Sequence, residues 1–205
     1  MRTVLGILSA GLTAVCVLPY LRDISRGTTR PQRVSWLVFA TLSAFAALSQ
    51  WSQGASSGAL LAAGSAVGFG AVAIASIRHG EGGSTGRDLM ALGVGITGVV
   101  LSVAVDRPIV AIAAVIAAEI AAISLTARKA HANPESETIS TWIIDAVAGA
   151  VAILAAPDLS VGVLVYPIHH FIVNLWVVFA IQSGRRSRRS SGGVGRVIAA
   201  ADGGG

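Results

Sequence analysis

The sequence of 205 residues contains little charge, since Asp, Glu, Lys and Arg together make up only 12% of it, about half the share of an ordinary soluble domain. It has one cysteine, Cys16, which excludes a disulfide framework within the chain and a cysteine-based metal site. It also lacks a phosphate-binding glycine loop and the HExxH motif of zinc enzymes. We therefore expect no enzymatic activity, no bound metal and no cofactor.

Long apolar runs dominate the chain instead. Hydrophobic residues make up 54% of it, and its mean hydropathy is +0.74. A soluble helical protein would need polar outer faces on its helices, and these runs offer almost none. The composition predicts an all-α, polytopic membrane protein with seven transmembrane helices. Each run is close to the roughly 20 residues that cross a bilayer, and the runs lie at 3–20, 34–51, 58–77, 89–105, 109–127, 139–156 and 162–182.

The basic residues are distributed unevenly between the connections. With seven spans the connections alternate between two sides, and thirteen Arg and Lys residues fall on one side, against Arg2 and Arg107 on the other. The positive-inside rule then places the N-terminus outside and the C-terminus in the cytoplasm. The cytoplasmic set is Arg22, Arg26, Arg30, Arg33, Arg78, Arg87, Arg128, Lys129, Arg185, Arg186, Arg188, Arg189 and Arg196.

The last segment, residues 184–205, reads GRRSRRSSGGVGRVIAAADGGG. Its Gly, Ser and Arg content without a core pattern predicts a disordered basic cytoplasmic tail. Its arginines either bind anionic lipid headgroups or serve only as the last topological anchor. No aromatic residues alternate with them, so we expect no nucleic-acid binding.

An internal repeat emerges when residues 19–50 are laid over residues 125–156. The matched pairs are Arg22 with Arg128, Ser35 with Thr141, and Trp36 with Trp142. Both copies begin on the same side, which predicts parallel repeats of the kind found in transporters. The predicted organisation is three helices, one linker helix and three helices (3-1-3): a first unit at 1–80, a linker helix at 81–107 and a second unit at 108–183.

The first connection, LPYLRDISRGTTRPQRVSW at 18–36, contains a Pro-Gln pair between the first two helices. Together with the parallel repeats, it resembles the PQ-loop/SWEET/SemiSWEET superfamily, and most closely a bacterial group of PQ-loop-like membrane proteins. EIAAISLTARKAHANPESE at 119–137 and VYPIHHFIVN at 165–174 resemble the same group. Two residues depart from its pattern: Glu119 stands in place of Asp, and Leu125 in place of a helix-ending proline. The resemblance implies an integral protein of the bacterial plasma (inner) membrane.

Four polar residues interrupt the apolar runs of the second unit: Glu119, Asp145, His170 and Asn174. At 1.5 Å per residue they lie roughly 9–18 Å inside the cytoplasmic ends of their helices. Polar and ionisable groups at such depth are costly and mark function by default, so we predict that these four bind substrate. Alternatives are that Glu119 pairs with His170, that Asp145 binds Lys129 or a helix-start amide, and that Asn174 only joins helices.

Two tryptophans, Trp36 and Trp142, begin the second helix of each unit. The resemblance implies that a tryptophan at this place lines the substrate pocket, whereas the alternative is an ordinary aromatic belt at the membrane surface. The polar residues come from one unit only, which predicts an asymmetric pocket.

Four residues around the first connection are predicted to act as a gate or hinge: Pro19, Arg22, Asp23 and Pro31. In SWEET-type proteins, prolines near helix ends are implied to act as hinges. Leu125 removes the counterpart of Pro19 in the second unit, so a symmetric hinge is not expected. Arg22 and Asp23 are either a gating ion pair or plain interfacial charges.

The resulting hypothesis is a transporter or facilitator of a small polar solute, of the sugar or amino acid class, that works by alternating access. Transport is proton-coupled if Glu119 and His170 exchange protons. The alternative is a non-transporting membrane receptor or interaction protein of the same fold, which would use the basic tail. The expected partners are the solute and the lipid bilayer, and the sequence leaves a homo-oligomer open.

Overall fold

The computed structural model describes residues 1–52, 56–104, 108–156, 159 and 161–202, with side chains except at 49–52, 56–62, 102–103, 108–109, 111–112, 161–163, 166 and 191–202. Within these residues the chain forms seven α-helices, one 3₁₀ turn at Pro134–Ser136 and no strand, which confirms the all-α prediction. The helices are α1 Arg2–Ser25, α2 Arg33–Ser52, α3 Ser56–His79, α4 Gly86–Ala104, α5 Pro108–Ala132, α6 Ile139–Ala155 and α7 Val161–Asp202.

Two helices extend beyond their apolar runs. α1 continues through Pro19 to Ser25, and α5 continues past Leu125 to Ala132. Leu125 is a good helix former, and Pro19 at the matching place lies inside α1 without ending it. The charged last turns of both helices therefore stay helical outside the apolar segments.

The C-terminal segment differs from the prediction, because α7 is helical to Asp202 where the composition predicts a disordered tail from 184. The first part of this segment is held by contacts with the α5–α6 connection. Arg185 Nε lies 3.3 Å from Glu135 Oε1, and Arg188 donates hydrogen bonds to the Ala132 carbonyl (2.5 Å) and to Asn133 Oδ1 (2.7 Å). These bonds extend the helix beyond the apolar run. Residues 203–205, and Arg107 of the charge comparison, lie outside the described residues.

The helices pack as two triplets with the same internal order. α3 packs against both α1 and α2, and α7 packs against both α5 and α6. Between the triplets, α1 contacts α6 and α2 contacts α5. α4 lies against α5 and α2.

Three connections meet at one end of the bundle. Arg30 N donates to Ser136 O at 3.1 Å, and Arg33 N donates to Glu81 O at 3.0 Å. These bonds join the α1–α2 connection to the α5–α6 and α3–α4 connections. We call this end the Pro-Gln end, because the α1–α2 connection carries Pro31 and Gln32.

The core is built on the inner helix faces, and the outer faces are apolar as well. The buried residues of α1 recur at helical spacing, from Ser9 to Ile24. Outward-facing aliphatic side chains are largely exposed, at 75% for Val67, 71% for Ile74 and 70% for Ile77 on α3. The exposed surface of the described helices is therefore unlike the polar outer face of a soluble helical protein.

Length and composition identify one helix among the described residues, Arg2–Ser25, as long and apolar enough to cross a membrane. Among the residues with described side chains, the apolar parts of α2 (Arg33–Leu48) and α6 (Ile139–Ala155) are shorter. The seven-span topology predicted from the sequence is therefore not confirmed by this criterion, and it enters below as part of a proposal.

Glycines allow two helices to approach closely, as their abundance in the third and fourth runs predicts. A Cβ atom added at Gly98 on α4 would lie 2.9 Å from the Ala114 carbonyl oxygen of α5. The same atom added at Gly93 on α4 would meet nothing within 4 Å. The α4–α5 contact therefore depends on Gly98 and not on Gly93.

We predict that Gly98→Ala lowers the free energy of unfolding by about 1–3 kcal/mol, because helix backbones must move apart to admit the methyl group. Gly93→Ala is the matched control, and it should leave stability unchanged or raise it by about 0.5–1 kcal/mol through helix propensity. Thermal unfolding of the purified variants measures both. Equal melting temperatures for the two variants would contradict this account.

Candidate functional site

A cavity lies in the middle of the bundle, between the two triplets. Six of the described helices line it, all except α4. The volume of the cavity is about 50 Å³, so it is narrow in this conformation. Its lining residues are Cys16, Trp36, Phe39, Ser43, Ser65, Phe69, Glu119, Ile123, Thr141, Trp142, Asp145, His170, Val173 and Asn174.

All six residues predicted to bind substrate belong to this lining: Glu119, Asp145, His170, Asn174, Trp36 and Trp142. The ionisable groups come from α5, α6 and α7 alone, so the cavity has the predicted asymmetry. The wall from the first triplet is composed of aromatic and small side chains. The structure therefore brings the predicted residues together, whereas their role in binding stays a prediction.

Two histidines on α7 pair with carboxylates on the neighbouring helices. His169 Nε2 lies 2.9 Å from Glu119 Oε2, and His170 Nε2 lies 3.2 Å from Asp145 Oδ2. Consecutive helical residues point about 100° apart, so adjacent histidines on α7 face α5 and α6 separately. The closest carboxylate contacts of the two histidines therefore pair Glu119 with His169 and Asp145 with His170, whereas the sequence offered Glu119 with His170 and Asp145 with Lys129 as alternatives.

Three buried polar atoms of the lining have no hydrogen-bond partner: Asp145 Oδ1, Asn174 Oδ1 and Thr141 Oγ1. These side chains are nearly inaccessible, with 5% of Asp145 and 2% of Asn174 exposed. Asn174 uses its Nδ2 donor on the His170 carbonyl at 2.9 Å, which leaves only its acceptor. Because buried polar groups are normally hydrogen-bonded, these atoms are poised to bind a molecule in the cavity.

A second polar group closes the cavity at the Pro-Gln end, and we call it the closing network. It consists of Tyr20, Trp36, Lys129, Glu137 and Trp142. Glu137 Oε1 accepts from the Tyr20 hydroxyl at 3.1 Å and lies 2.5 Å from Lys129 Nζ. Glu137 Oε2 accepts from Trp142 Nε1 at 3.0 Å, and Trp36 Nε1 donates to the Tyr20 hydroxyl at 3.3 Å.

The two tryptophans connect this network to the cavity. Their ring centroids are 5.9 Å apart, and both rings line the cavity while both N–H groups bond to the network. Trp36 is 2% exposed and Trp142 is 3% exposed. Such burial disfavours the alternative that they are belt residues facing lipid.

The predicted gate or hinge residues have separate positions. Pro19 lies inside α1 without ending it, and Pro31 is buried, with its carbonyl accepting from Glu81 N at 2.9 Å. Asp23 Oδ2 accepts from Thr138 Oγ1 at 2.9 Å, across the two triplets. Within the described part of the chain, no salt bridge joins Arg22 to Asp23, so the predicted ion pair is not formed in this structure.

The Pro-Gln pair joins the starts of two helices. Gln32 Oε1 accepts from Val34 N at 2.8 Å at the start of α2, and Gln32 Nε2 donates to Asp88 Oδ1 at 2.7 Å. Asp88 and Thr85 form a capping box at the start of α4, in which each side chain accepts from the other's backbone amide. Gln32 thereby holds the linker helix against the first connection.

Sequence reasoning missed three members of the closing network and one partner of the cavity. Lys129 and Glu137 sit outside the apolar runs and Tyr20 is the last residue of the first run, so depth in the bilayer did not select them. Their signal was their presence in the two connection motifs. His169 was not selected, because helical periodicity alone did not show that it faces α5.

Comparison with known proteins found no matching family model, no similar curated protein and no similar solved structure. The PQ-loop resemblance therefore rests on the residues of the connections and stays a prediction. Among the described residues, no group of His, Cys, Asp and Glu is arranged to hold a metal ion.

Asp88 provides a pH-dependent contribution to stability. Burial raises the pKa of its carboxyl group, but hydrogen bonds from the backbone amides of Thr85 and Gly83, the Thr85 hydroxyl and the Gln32 amide outweigh burial and hold the pKa below its usual 3.8. A carboxyl group with a lowered pKa stabilises the fold above the unfolded value, and this stabilisation is lost as the pH falls through the folded value.

We predict that Asp88→Asn lowers the free energy of unfolding at pH 7 by about 1–2 kcal/mol. The difference from the wild-type protein should shrink as the pH falls below 3.8, because the wild-type carboxylate then becomes protonated and also loses its charge. Thermal unfolding across this pH range measures the difference. Glu135→Gln, at a side chain that is 72% exposed, should show no such trend; a wild-type-like melting temperature for Asp88→Asn at pH 7 would refute the role.

Proposed function

We propose that this chain is a seven-span transporter or facilitator of the PQ-loop/SWEET type in a bacterial inner membrane. It carries a small polar solute, of the sugar or amino acid class, by alternating access through the central cavity. The observation that carries the proposal is the convergence of Glu119, Asp145, His170 and Asn174 on one cavity between the two triplets. Transporter substrate sites occupy this place between repeats.

The surface of the bundle supports a membrane location. Large aliphatic and aromatic side chains face outward on the described helices, for example Ile7, Val67 and Phe179. Polar groups lie inside or at the Pro-Gln end, where Arg22, Arg78 and other basic residues gather at the helix ends. This arrangement suits a hydrocarbon solvent, and the positive-inside rule orients the Pro-Gln end toward the cytoplasm.

The helix contacts support two parallel repeats joined by α4. Exchanging α1, α2 and α3 for α5, α6 and α7 turns the α1–α6 contact into the α5–α2 contact, and both contacts are present. The same exchange turns the contacts of α3 with α2 and α1 into the contacts of α7 with α6 and α5, which are also present. A pseudo-twofold pair of units is the architecture on which rocking motions are built.

The closing network supports alternating access, because it joins the two triplets at the Pro-Gln end of the polar cavity. Farther from this end, a separate hydrogen bond from the Ser9 hydroxyl to the Ala148 carbonyl (2.9 Å) joins α1 to α6. It contains Tyr20 and Trp36 from the first triplet, and Lys129, Glu137 and Trp142 from the second or its connection. Breaking the Tyr20–Glu137 bond would separate the triplets at this end. In this proposal, the conformation described is the one closed toward the cytoplasm.

We predict that the protein in liposomes takes up at least one solute from a panel of sugars and amino acids. Asn174→Leu should abolish uptake because it removes a buried polar contact, whereas Gln182→Leu, at an exposed amide on the same helix, should not. If transport is proton-coupled, a pH gradient should no longer change the rate of uptake by the Glu119→Gln variant. Failure of every solute both to enter and to stabilise the protein would refute a transporter.

Truncation of the basic tail distinguishes the transporter from the alternative, a receptor that acts through this tail. Removal of residues 189–205 takes away Arg189 and Arg196 of the basic tail and leaves the Arg185 and Arg188 contacts with the α5–α6 connection in place. Transport should survive this truncation. Loss of a partner interaction with no transport by the full chain would favour the receptor.

We also predict that Glu137→Gln opens the cavity to the cytoplasm, because it removes the carboxylate charge nearest to the buried Lys129 ammonium. Lys129 then keeps only Glu81, at 4.0 Å, and the carbonyls of Arg30 and Ser136. Cys16 reports on access, since it is the only cysteine, lines the cavity and is 1% exposed. Modification of Cys16 by a small charged thiol reagent in inside-out vesicles should become about tenfold faster or more, since removing one partner of a buried ion pair is strongly destabilising.

Glu135→Gln is the matched control, since it removes an exposed carboxylate two residues away. It should leave the modification rate unchanged. An unchanged rate in a folded Glu137→Gln protein would show that the closing network does not control access.

A further inference from the structure

The hydrogen-bonding groups of the cavity are unbalanced, and this imbalance indicates the solute. We propose that the transported solute carries a cationic N–H group, such as a protonated amine, amidinium or guanidinium, bound by Asp145 Oδ1 and Asn174 Oδ1. This inference rests on the proposed function and narrows its substrate to one chemical class.

The N–H donors of three lining side chains are already used. Trp36 Nε1 bonds to Tyr20, Trp142 Nε1 bonds to Glu137, and Asn174 Nδ2 bonds to the His170 carbonyl. The thiol of Cys16 donates to the Thr13 carbonyl at 3.0 Å. These donors therefore offer little to a solute that presents only acceptors.

Two acceptor oxygens of the lining, by contrast, have no hydrogen-bond partner. Asp145 divides its carboxylate, with Oδ2 facing His170 at 3.2 Å and Oδ1 without a hydrogen-bond partner. Asn174 Oδ1 is likewise unpartnered, and the Thr141 hydroxyl is a third free group. A solute with several N–H donors satisfies all of them, and a charged donor bonds most strongly to a carboxylate.

The charge of the lining points to the same class. Among the described residues of the lining, Glu119 and Asp145 are the carboxylates and His170 is the one basic side chain. Even with His170 protonated the lining is net negative, and a protonated His169 behind Glu119 would bring it only to neutrality. Lys129 is held by Glu137 in the closing network and does not line the cavity. An anionic solute would thus meet carboxylates without a free cation.

The apolar wall fits a cation as well. Trp36, Phe39 and Phe69 form a cluster with ring centroids 5.6–6.2 Å apart, and Trp142 adds a fourth ring to the lining. Aromatic faces attract ammonium and guanidinium groups, most strongly where water is excluded. The cavity thus combines a carboxylate on one side with π-faces on the other.

Three probes of the same shape test the charge directly: acetamidinium, acetamide and acetate, each with four heavy atoms. Binding to the protein in nanodiscs is measured by thermal shift and tryptophan fluorescence, with ionic strength held constant by NaCl. Acetamidinium should bind at least about tenfold more tightly than acetamide, since charged hydrogen bonds are roughly twice as strong as neutral ones. Acetate should not bind.

Asp145→Asn should lower acetamidinium affinity about tenfold and remove most of its advantage over acetamide. Asn174→Leu removes the other acceptor without touching the His170–Asp145 pair, and it provides a second test if Asp145→Asn fails to fold. Glu135→Gln, an exposed carboxylate, should retain wild-type affinities.

The inference is overturned if acetamide or acetate binds as tightly as acetamidinium, if acetamidinium does not bind, or if both cavity variants retain its affinity. Any of these results is compatible with the proposed transport function if the protein is seen to take up a neutral solute. The proposed function fails separately, when no solute of any charge enters the liposomes.

Discussion

The buried carboxylate of Glu137 is the interaction on which the closed form of this protein depends. Its side chain is fully inaccessible, and its two oxygens bind Lys129, Tyr20 and Trp142. A charge in such surroundings is tolerated only when it is paired and hydrogen-bonded on every side. Because its partners come from α1, α5 and α6, satisfying one carboxylate brings three helices together. The two tryptophan rings are thereby held over the end of the cavity.

The polar groups of the cavity also need hydrogen-bond partners, but not all of them have one. His169 contacts Glu119 and His170 contacts Asp145 through one carboxylate oxygen each, yet Asp145 Oδ1 remains without a partner. The closing network is thus saturated with hydrogen bonds, whereas the cavity is not. A saturated polar cluster holds structure, while an unsaturated one can bind. This difference separates the structural carboxylate from the candidate binding carboxylate, although both are buried.

Much of the fold follows from the order of residues along the chain. Runs of apolar residues near bilayer length predicted each helix, because an apolar helix satisfies its own backbone hydrogen bonds. The ends of α5 and α7 were less predictable: Leu125 does not stop a helix, and Arg188 anchors its helix through Asn133, which is distant in sequence. Four of the predicted cavity residues were found because polar groups inside apolar runs are conspicuous, and Trp36 and Trp142 were predicted from the family resemblance.

The sequence by itself determined which polar groups are candidates for the interior, because Glu119, Asp145 and His170 lie within apolar helices. Only the tertiary structure decided which groups pair. The packing of α7 against both α5 and α6 directs His169 to Glu119 and His170 to Asp145. Pairing depends on helix rotation and distance between segments far apart in the chain, and neither quantity is encoded by local periodicity.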